Sequence, residues 1–254
     1  MPRCEVSEKT LELNVSENII TILRRMGSQF SRAYLYGFTV HEESRTGLDI
    51  SIKIVPFYNV NYSITGFQFK RPISLIARNK YKFLINVKSQ HLKLFIHAIQ
   101  IYINTQKYPQ IYYALPCICQ KNELNSIVPM FLTRTWFIHI LDLIDAVDLQ
   151  SHNIILDFSN GKYQVYSPPQ ETERQALSFE ELVDKLRALR DRDKLPRLPE
   201  AFRQIELTID DILNALLKLG FDEDEIARIQ EVLATFFRIL HERKTTTKFN
   251  GLLI

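Results

Sequence analysis

Glycine is scarce in this chain, with seven in 254 residues. No glycine-rich loop of the kind that cradles phosphate can be assembled from them. A G-x-S-x-G nucleophile elbow is also missing, which removes the usual serine-hydrolase signature. Cysteine is equally sparse: Cys4, Cys117 and Cys119 form an odd set without framework spacing. That usage predicts a reducing, cytoplasmic setting. Cys117 and Cys119 stand two apart in a strand-like run, so they share a face and read as small buried hydrophobes, not zinc ligands. The six histidines do not converge, since His91 and His97 are six apart and His139 and His152 fall on other elements. No apolar run reaches the roughly 18 residues that a spanning helix needs. The first residues, MPRCEVSEKTLELN, carry acids and no apolar stretch, unlike a secretory signal. Finally, residues 50–122 contain no Asp or Glu at all.

That last absence gives the chain its electrostatic character. The net charge is only +3, yet the acid-free stretch holds ten Lys or Arg, with Tyr and Phe scattered among them. A one-signed stretch of this kind sets up a positive field suited to a polyanion. Lys53, Arg71, Arg78, Lys80, Lys88 and Gln90 are the candidate nucleic-acid contacts. The plainer reading is a solvated basic surface.

Periodicity divides the chain into an α/β core over residues 1–170 and a helical module over 171–254. Residues 14–26 read as an amphipathic helix, with Asn14 and Glu17 as a capping box. Strands are expected at 33–40, 49–55 and 63–70 and at YKFLI, followed by a helix over 89–103. QIYYALPCI has the near-continuous apolar character of a strand covered on both faces. TWFIHIL suits a buried strand. NIILDFSNGKYQVYS predicts a hairpin with Asn160-Gly161 as a two-residue type I′ turn. Beyond Pro168-Pro169, three helices follow, with Ser178/Glu181, Thr208/Asp211 and Asp222/Glu225 at their starts.

The chemistry concentrates in GLDISIKIVPFYNVNYSITGFQFKRP, residues 47–72. Side chains alternate along a strand, so Ile50, Ile52 and Ile54 share one face and Asp49, Ser51 and Lys53 the other. In the second strand Gln68 and Lys70 oppose Phe67 and Phe69. A one-residue slip would expose the isoleucines, so Asp49, Gln68 and Lys70 fall on one polar face. Centring the loop on Asn59 and Val60 puts Asp49 opposite Lys70, with Gln68 diagonal. Mg²⁺ takes hard oxygen ligands. Asp49, the Gln68 amide oxygen and the Phe69 main-chain carbonyl are candidate ligands, and Lys70 can orient an attacking water. A phosphodiester is the matching substrate. Glu17, and Glu42 or Glu43, are the candidate second acids. Each residue also has a plainer role. Asp49 and Lys70 could be a surface ion pair, Glu17 a cap, and Glu42 and Glu43 turn residues.

The order of helix, strand, GLD, strand ending QFK, helix and strand resembles the PD-(D/E)XK nuclease superfamily over residues 14–120. Its G-x-D…Q-x-K-R form is similar to that of Mrr-like restriction endonucleases and related defence nucleases. The resemblance implies a restriction-endonuclease-like mixed central sheet flanked by helices. It also implies metal binding by Asp49, Gln68 in the second motif position, Lys70 as catalytic lysine, and Mg²⁺ (or Mn²⁺) as cofactor. The pattern departs from many members in lacking a Pro-Asp pair and in carrying Gln68 in place of Glu. The expected activity is endonucleolytic hydrolysis of DNA in a restriction, defence or mobile-element context. The expected partner is double-stranded DNA, with a homodimer or protein partner through the helical C-terminus. Two alternatives stand beside it: a nuclease-like fold that binds nucleic acid or protein without cutting, and a protein-interaction module.

Overall fold

The computed structural model describes residues 4–25, 30–38, 48–56, 63–85, 90–105, 108–127, 130–166, 173–188 and 208–250. Among them the chain is mixed α/β, with two five-stranded sheets and several helices.

Helix α1 (Glu8–Arg25) begins six residues earlier than its apolar period suggested. Ser7 is the residue that caps it, its hydroxyl accepting from the Thr10 amide at 3.0 Å. A side-chain oxygen there satisfies one of the free amides of the first turn. The expected Asn14/Glu17 capping box is therefore not formed. Asn14 instead donates to the Thr10 carbonyl one turn back, and Glu17 sits mid-helix and exposed, accepting from Thr21 at 3.0 Å. Leu11, Val15, Ile19 and Leu23 recur at helical spacing and are buried.

The first sheet has the order β1–β2–β3–β6–β7: β1 (Phe30–Gly37), β2 (Ile50–Pro56), β3 (Ser63–Phe69), β6 (Ile111–Pro116) and β7 (Thr135–His139). Only the β3–β6 pair is parallel. Its face toward α1 carries Ile50, Ile52, Phe67, Phe69, Tyr112 and Ala114, which form one apolar core with Leu11, Val15 and Ile19. β6 is buried at all six positions, as its unbroken apolar sequence predicts. β7 confirms the buried strand expected at TWFIHIL.

The second sheet is antiparallel throughout, in the order β10–β9–β8–β5–β4. Its strands are β4 (Pro72–Ala77), β5 (Lys80–Ile85), β8 (His152–Asp157), β9 (Lys162–Tyr166) and β10 (Glu173–Gln175). β4 was not expected. The β8–β9 hairpin forms, but its turn is longer than two residues: regular pairing stops at Leu156 and Tyr163, and the Gly161 amide donates to the Asp157 carbonyl at 2.8 Å. Gly161 carries φ +72°, the left-handed geometry that favours glycine.

Helices α2 (Gln90–Thr105), α3 (Lys121–Ile127), α4 (Phe179–Ala188), α5 (Ile209–Leu219) and α6 (Glu223–Asn250) complete the fold. Their local start signals act as read. Ser178 and Glu181 bond reciprocally, as do Thr208 and Asp211, and Asp222 and Glu225. Ile212, Ala215 and Leu216 of α5, with Ile229 and Leu233 of α6, enter the same apolar core as Leu92, Phe95 and Ala98 of α2. No described helix is long and apolar enough to cross a membrane.

Cys119 does not behave as the isolated hydrophobe its spacing suggested. It forms a disulfide with Cys4 across 115 residues of chain. The Glu5 amide also donates to the Cys119 carbonyl at 2.7 Å, so the segment before α1 is held against the end of β6. Cys117 remains a buried free thiol, and burial pushes its pKa up.

Candidate cation and phosphodiester site

The parity of the β2–β3 hairpin holds, and its register lies two residues from the expected one. Ile50 pairs with Phe67 and Ile52 with Thr65. This puts Asp49 opposite Gln68 and leaves Lys70 one step farther along. Both registers keep the isoleucines on the α1 face, so burial alone does not separate them. β3 and β6 then fix the polar end from the other side. Gln68 pairs with Tyr113, and the Lys70 amide donates to the Ala114 carbonyl at 3.1 Å.

Asp49 is the hub. One carboxylate oxygen, Oδ2, accepts from the Phe69 amide at 2.7 Å and from Gln68 Nε2 at 2.8 Å. Gln68 Nε2 also donates to the Phe69 carbonyl at 3.2 Å. The Asp49 main chain is tied on both sides, its amide to Phe67 O and its carbonyl to Phe38 N. The carboxyl pKa is pushed up to about 7, first by burial; Glu8 and Glu12 add to the rise, while the Phe69 amide and the Lys70 ammonium oppose it. Lys70 thus acts on Asp49 electrostatically, and its side chain is largely buried.

The amide of Gln68 is oriented by its surroundings. Nε2 lies between two oxygen acceptors, so turning the amide over would set oxygen against oxygen. The consequence is an orphan: Oε1 of Gln68 is buried and has no partner among the described residues. Ser51 Oγ, on the same strand face as Asp49, is likewise buried without a partner among them. Gly66 lies across from Ser51, where a Cβ would come within 2.8 Å of Leu48 Cδ2.

Helix α1 contributes an acid, and it is a different one from the residue expected. Glu8, in its first turn, accepts from the Arg71 amide at 3.0 Å and lies 3.8 Å from Lys70 Nζ. Glu12, buried one turn later, is engaged by Lys9 at 2.6 Å. Glu17 is two turns beyond Glu8 and exposed, with Thr21 and Asn18 as its partners. It is not part of this cluster. The signal for Glu8 was present in the sequence: a helix start at Ser7 places Glu8 in the first turn. Glu42, Glu43 and Lys88 lie outside the described residues, and Lys53 lies in β2 with its side chain outside them.

Arg71 is exposed immediately after the site, while Arg78 and Lys80 are exposed at the β4–β5 turn. Gln90 opens α2 and is half-buried. His91, its neighbour, is a core residue, not a surface one. Its Nε2 meets the Leu143 carbonyl at 2.9 Å, its ring stacks on Tyr113, and burial holds its pKa down at about 4.

A cation fits the donor chemistry. Asp49 Oδ2, the Phe69 carbonyl and the orphaned Gln68 Oε1 are hard oxygens at one strand end, the type that Mg²⁺ selects, with Gln68 turning Nε2 toward the other two. Among the described residues no group of three His, Cys, Asp or Glu side chains gathers in a metal-holding arrangement. Any cation site here therefore uses amide and main-chain oxygens as well as carboxylate. Comparison with protein-family models, with curated proteins and with solved structures finds no match to the chain.

Proposed function

We propose that the chain is a Mg²⁺-dependent nuclease of the PD-(D/E)XK type that hydrolyses DNA phosphodiesters. The observation that carries the reading is the meeting of Asp49, Gln68, the Phe69 carbonyl and Lys70 at the end of one strand pair, with a buried acceptor left unused. Asp49, Phe69 O and Gln68 Oε1 would hold Mg²⁺. Bound there, the ion would supply Lewis acidity toward the scissile phosphate and toward a water. Lys70 orients the attacking water and offsets the charge that develops on the phosphorane. A bond forms from the water oxygen to phosphorus as the bond to the leaving oxygen breaks. Glu8, 3.8 Å from Lys70, positions the ammonium.

The finer readings belong to the same proposal. The five-stranded sheet with the parallel β3–β6 pair is the restriction-endonuclease-like element. The helices after residue 171 pack into the two apolar cores, and their exposed faces would serve dimerisation or a protein partner. Arg71, exposed next to the site, and Arg78 and Lys80, exposed at the β4–β5 turn, are the side chains offered to double-stranded DNA. The setting is restriction, defence or mobile-element biology; the Cys4–Cys119 disulfide removes the cysteine argument for a reducing compartment.

Plasmid cleavage with Mg²⁺ or Mn²⁺ tests the reading. Wild type should nick or linearise DNA, and Asp49→Ala and Lys70→Ala should each lose at least about 100-fold, the order of a lost charge-stabilising group. Gln68 is neutral where many members of the family have Glu, which favours one alternative above others: a nuclease-like fold that binds without cutting. Salt-sensitive DNA binding with no metal-dependent cleavage would support that alternative.

A further inference from the structure

We infer that the Gln68 carboxamide is a built-in cover for the cation site, and that loading requires this amide to turn over by half a turn. The inference rests on the proposed cation site and adds a conformational step to it.

An amide nitrogen has two protons and no acceptor. Both protons of Gln68 Nε2 are accounted for, one on Asp49 Oδ2 at 2.8 Å and one on Phe69 O at 3.2 Å. These are two of the oxygens proposed above to hold the cation. The positive end of the amide dipole therefore sits where positive charge is wanted. It stands in for the cation in electrostatics, though not in magnitude. Oε1, the atom able to ligate, faces away from them and is buried without a partner among the described residues. That arrangement leaves an acceptor unsatisfied, which costs free energy in a buried place.

A cation entering between Asp49 Oδ2 and Phe69 O would meet the N–H₂ group head-on. Rotation of about 180° about the terminal side-chain torsion exchanges nitrogen and oxygen with little change of shape, because that torsion is broad and roughly two-fold. After the turn Oε1 faces the same two oxygens and completes a three-oxygen set. No covalent bond changes. A glutamate at this position has no N–H₂ and needs no such turn, so Gln68 sets a threshold that a carboxylate would lack.

The test is a Mg²⁺ titration of the full chain, followed by the side-chain ¹⁵N resonance of Gln68, assigned through its own backbone. The result expected is a saturable shift of that resonance, with loss of protection of its two protons, in step with the Asp49 and Phe69 backbone amides. Gln68→Glu should bind Mg²⁺ about tenfold more tightly, since affinity follows ligand charge. If Mg²⁺ moves Asp49 and Phe69 while the Gln68 amide keeps its shift and protection, the cover is refuted and the cation site stands. If Mg²⁺ moves nothing from Asp49 to Lys70, the cation site and the cover fail together. The wild-type titration decides between these outcomes even if the variant does not fold.

Discussion

Two of the strand pairs that bring a lysine near a carboxylate have opposite characters. At the edge of the second sheet, Lys162 and Glu173 meet at 2.5 Å with both side chains about half exposed at 52%. Glu173 raises the Lys162 pKa through a hydrogen bond and its charge, and among the described residues no further charged group joins the pair. In the first sheet, Gln68 and Lys70 are buried and Asp49 is half-buried, an acceptor is left over, and desolvation drives the carboxyl pKa up to about 7. Pairing at a surface satisfies charge cheaply and does little else. Burial without full satisfaction is costly and persists where a ligand or reaction makes use of it. The pattern of residue types is nearly the same in the two places; what differs is the water.

The comparison can be broken or sharpened by experiment. Glu8→Gln should lower metal-dependent cleavage by about tenfold, within the range expected for a positioned charge, whereas Glu17→Gln should leave the rate unchanged. Plasmid nicking rates compare the two directly, and equal losses would remove Glu8 from the site. Glycine substitutions probe the scaffolds of both places. Gly161→Ala must fit a Cβ 2.2 Å from Trp136 Cζ3 at positive φ, and Gly66→Ala one 2.8 Å from Leu48 Cδ2. Overpacking of the Gly66 kind costs about 1–3 kcal/mol, and Gly161→Ala should exceed it because backbone strain adds. Urea unfolding midpoints give the order.

The pH dependence of stability should separate Asp49 from its surface counterpart. The folded carboxyl titrates at about 7 and the unfolded one at its ordinary 3.8. Between these values the folded chain keeps a proton that the unfolded chain has released. The Asp49 contribution is therefore fullest below pH 3.8 and declines as pH rises to about 7. Asp49→Asn removes that decline, so its stability relative to wild type should climb across this window and then level off. His91 gives the opposite slope, because burial lowers its pKa from 6.5 to about 4 and stability gained through it rises with pH between them. Comparing wild type with Asp49→Asn leaves the His91 slope common to both. The smallest effect belongs to the exposed pair: Lys162→Ala should leave the melting temperature and the cleavage rate as they are in wild type.

Some of this was legible from sequence and some was not, and the division follows the range of the forces involved. The helix starts at Ser178, Thr208 and Asp222 were readable because a cap and its partner are three residues apart. The shared face of Asp49 and Gln68 was readable because alternation is local and three isoleucines had to be buried. The register was not, because a shift of two keeps every side chain on its face, and only the pairing of β3 with β6 and the end of the hairpin choose between the two. The start of α1 was misplaced because SEKTLELNVSEN offers two polar caps in succession. The earlier one wins because Leu11 and Val15 need a full helix beneath them to reach the sheet. That one choice moved the acid of the site from Glu17 to Glu8. The Cys4–Cys119 bond could not be read at all, since 115 residues separate its ends.

Calorimetric titration of Mn²⁺ into wild type and Asp49→Asn is the most direct test of the central claim, that a half-buried carboxylate and its strand-end oxygens await a divalent ion. Saturable binding of a single ion per chain by wild type, abolished in Asp49→Asn and retained in Glu173→Gln, is the predicted result. No binding by wild type, or equal binding by Asp49→Asn, would contradict it.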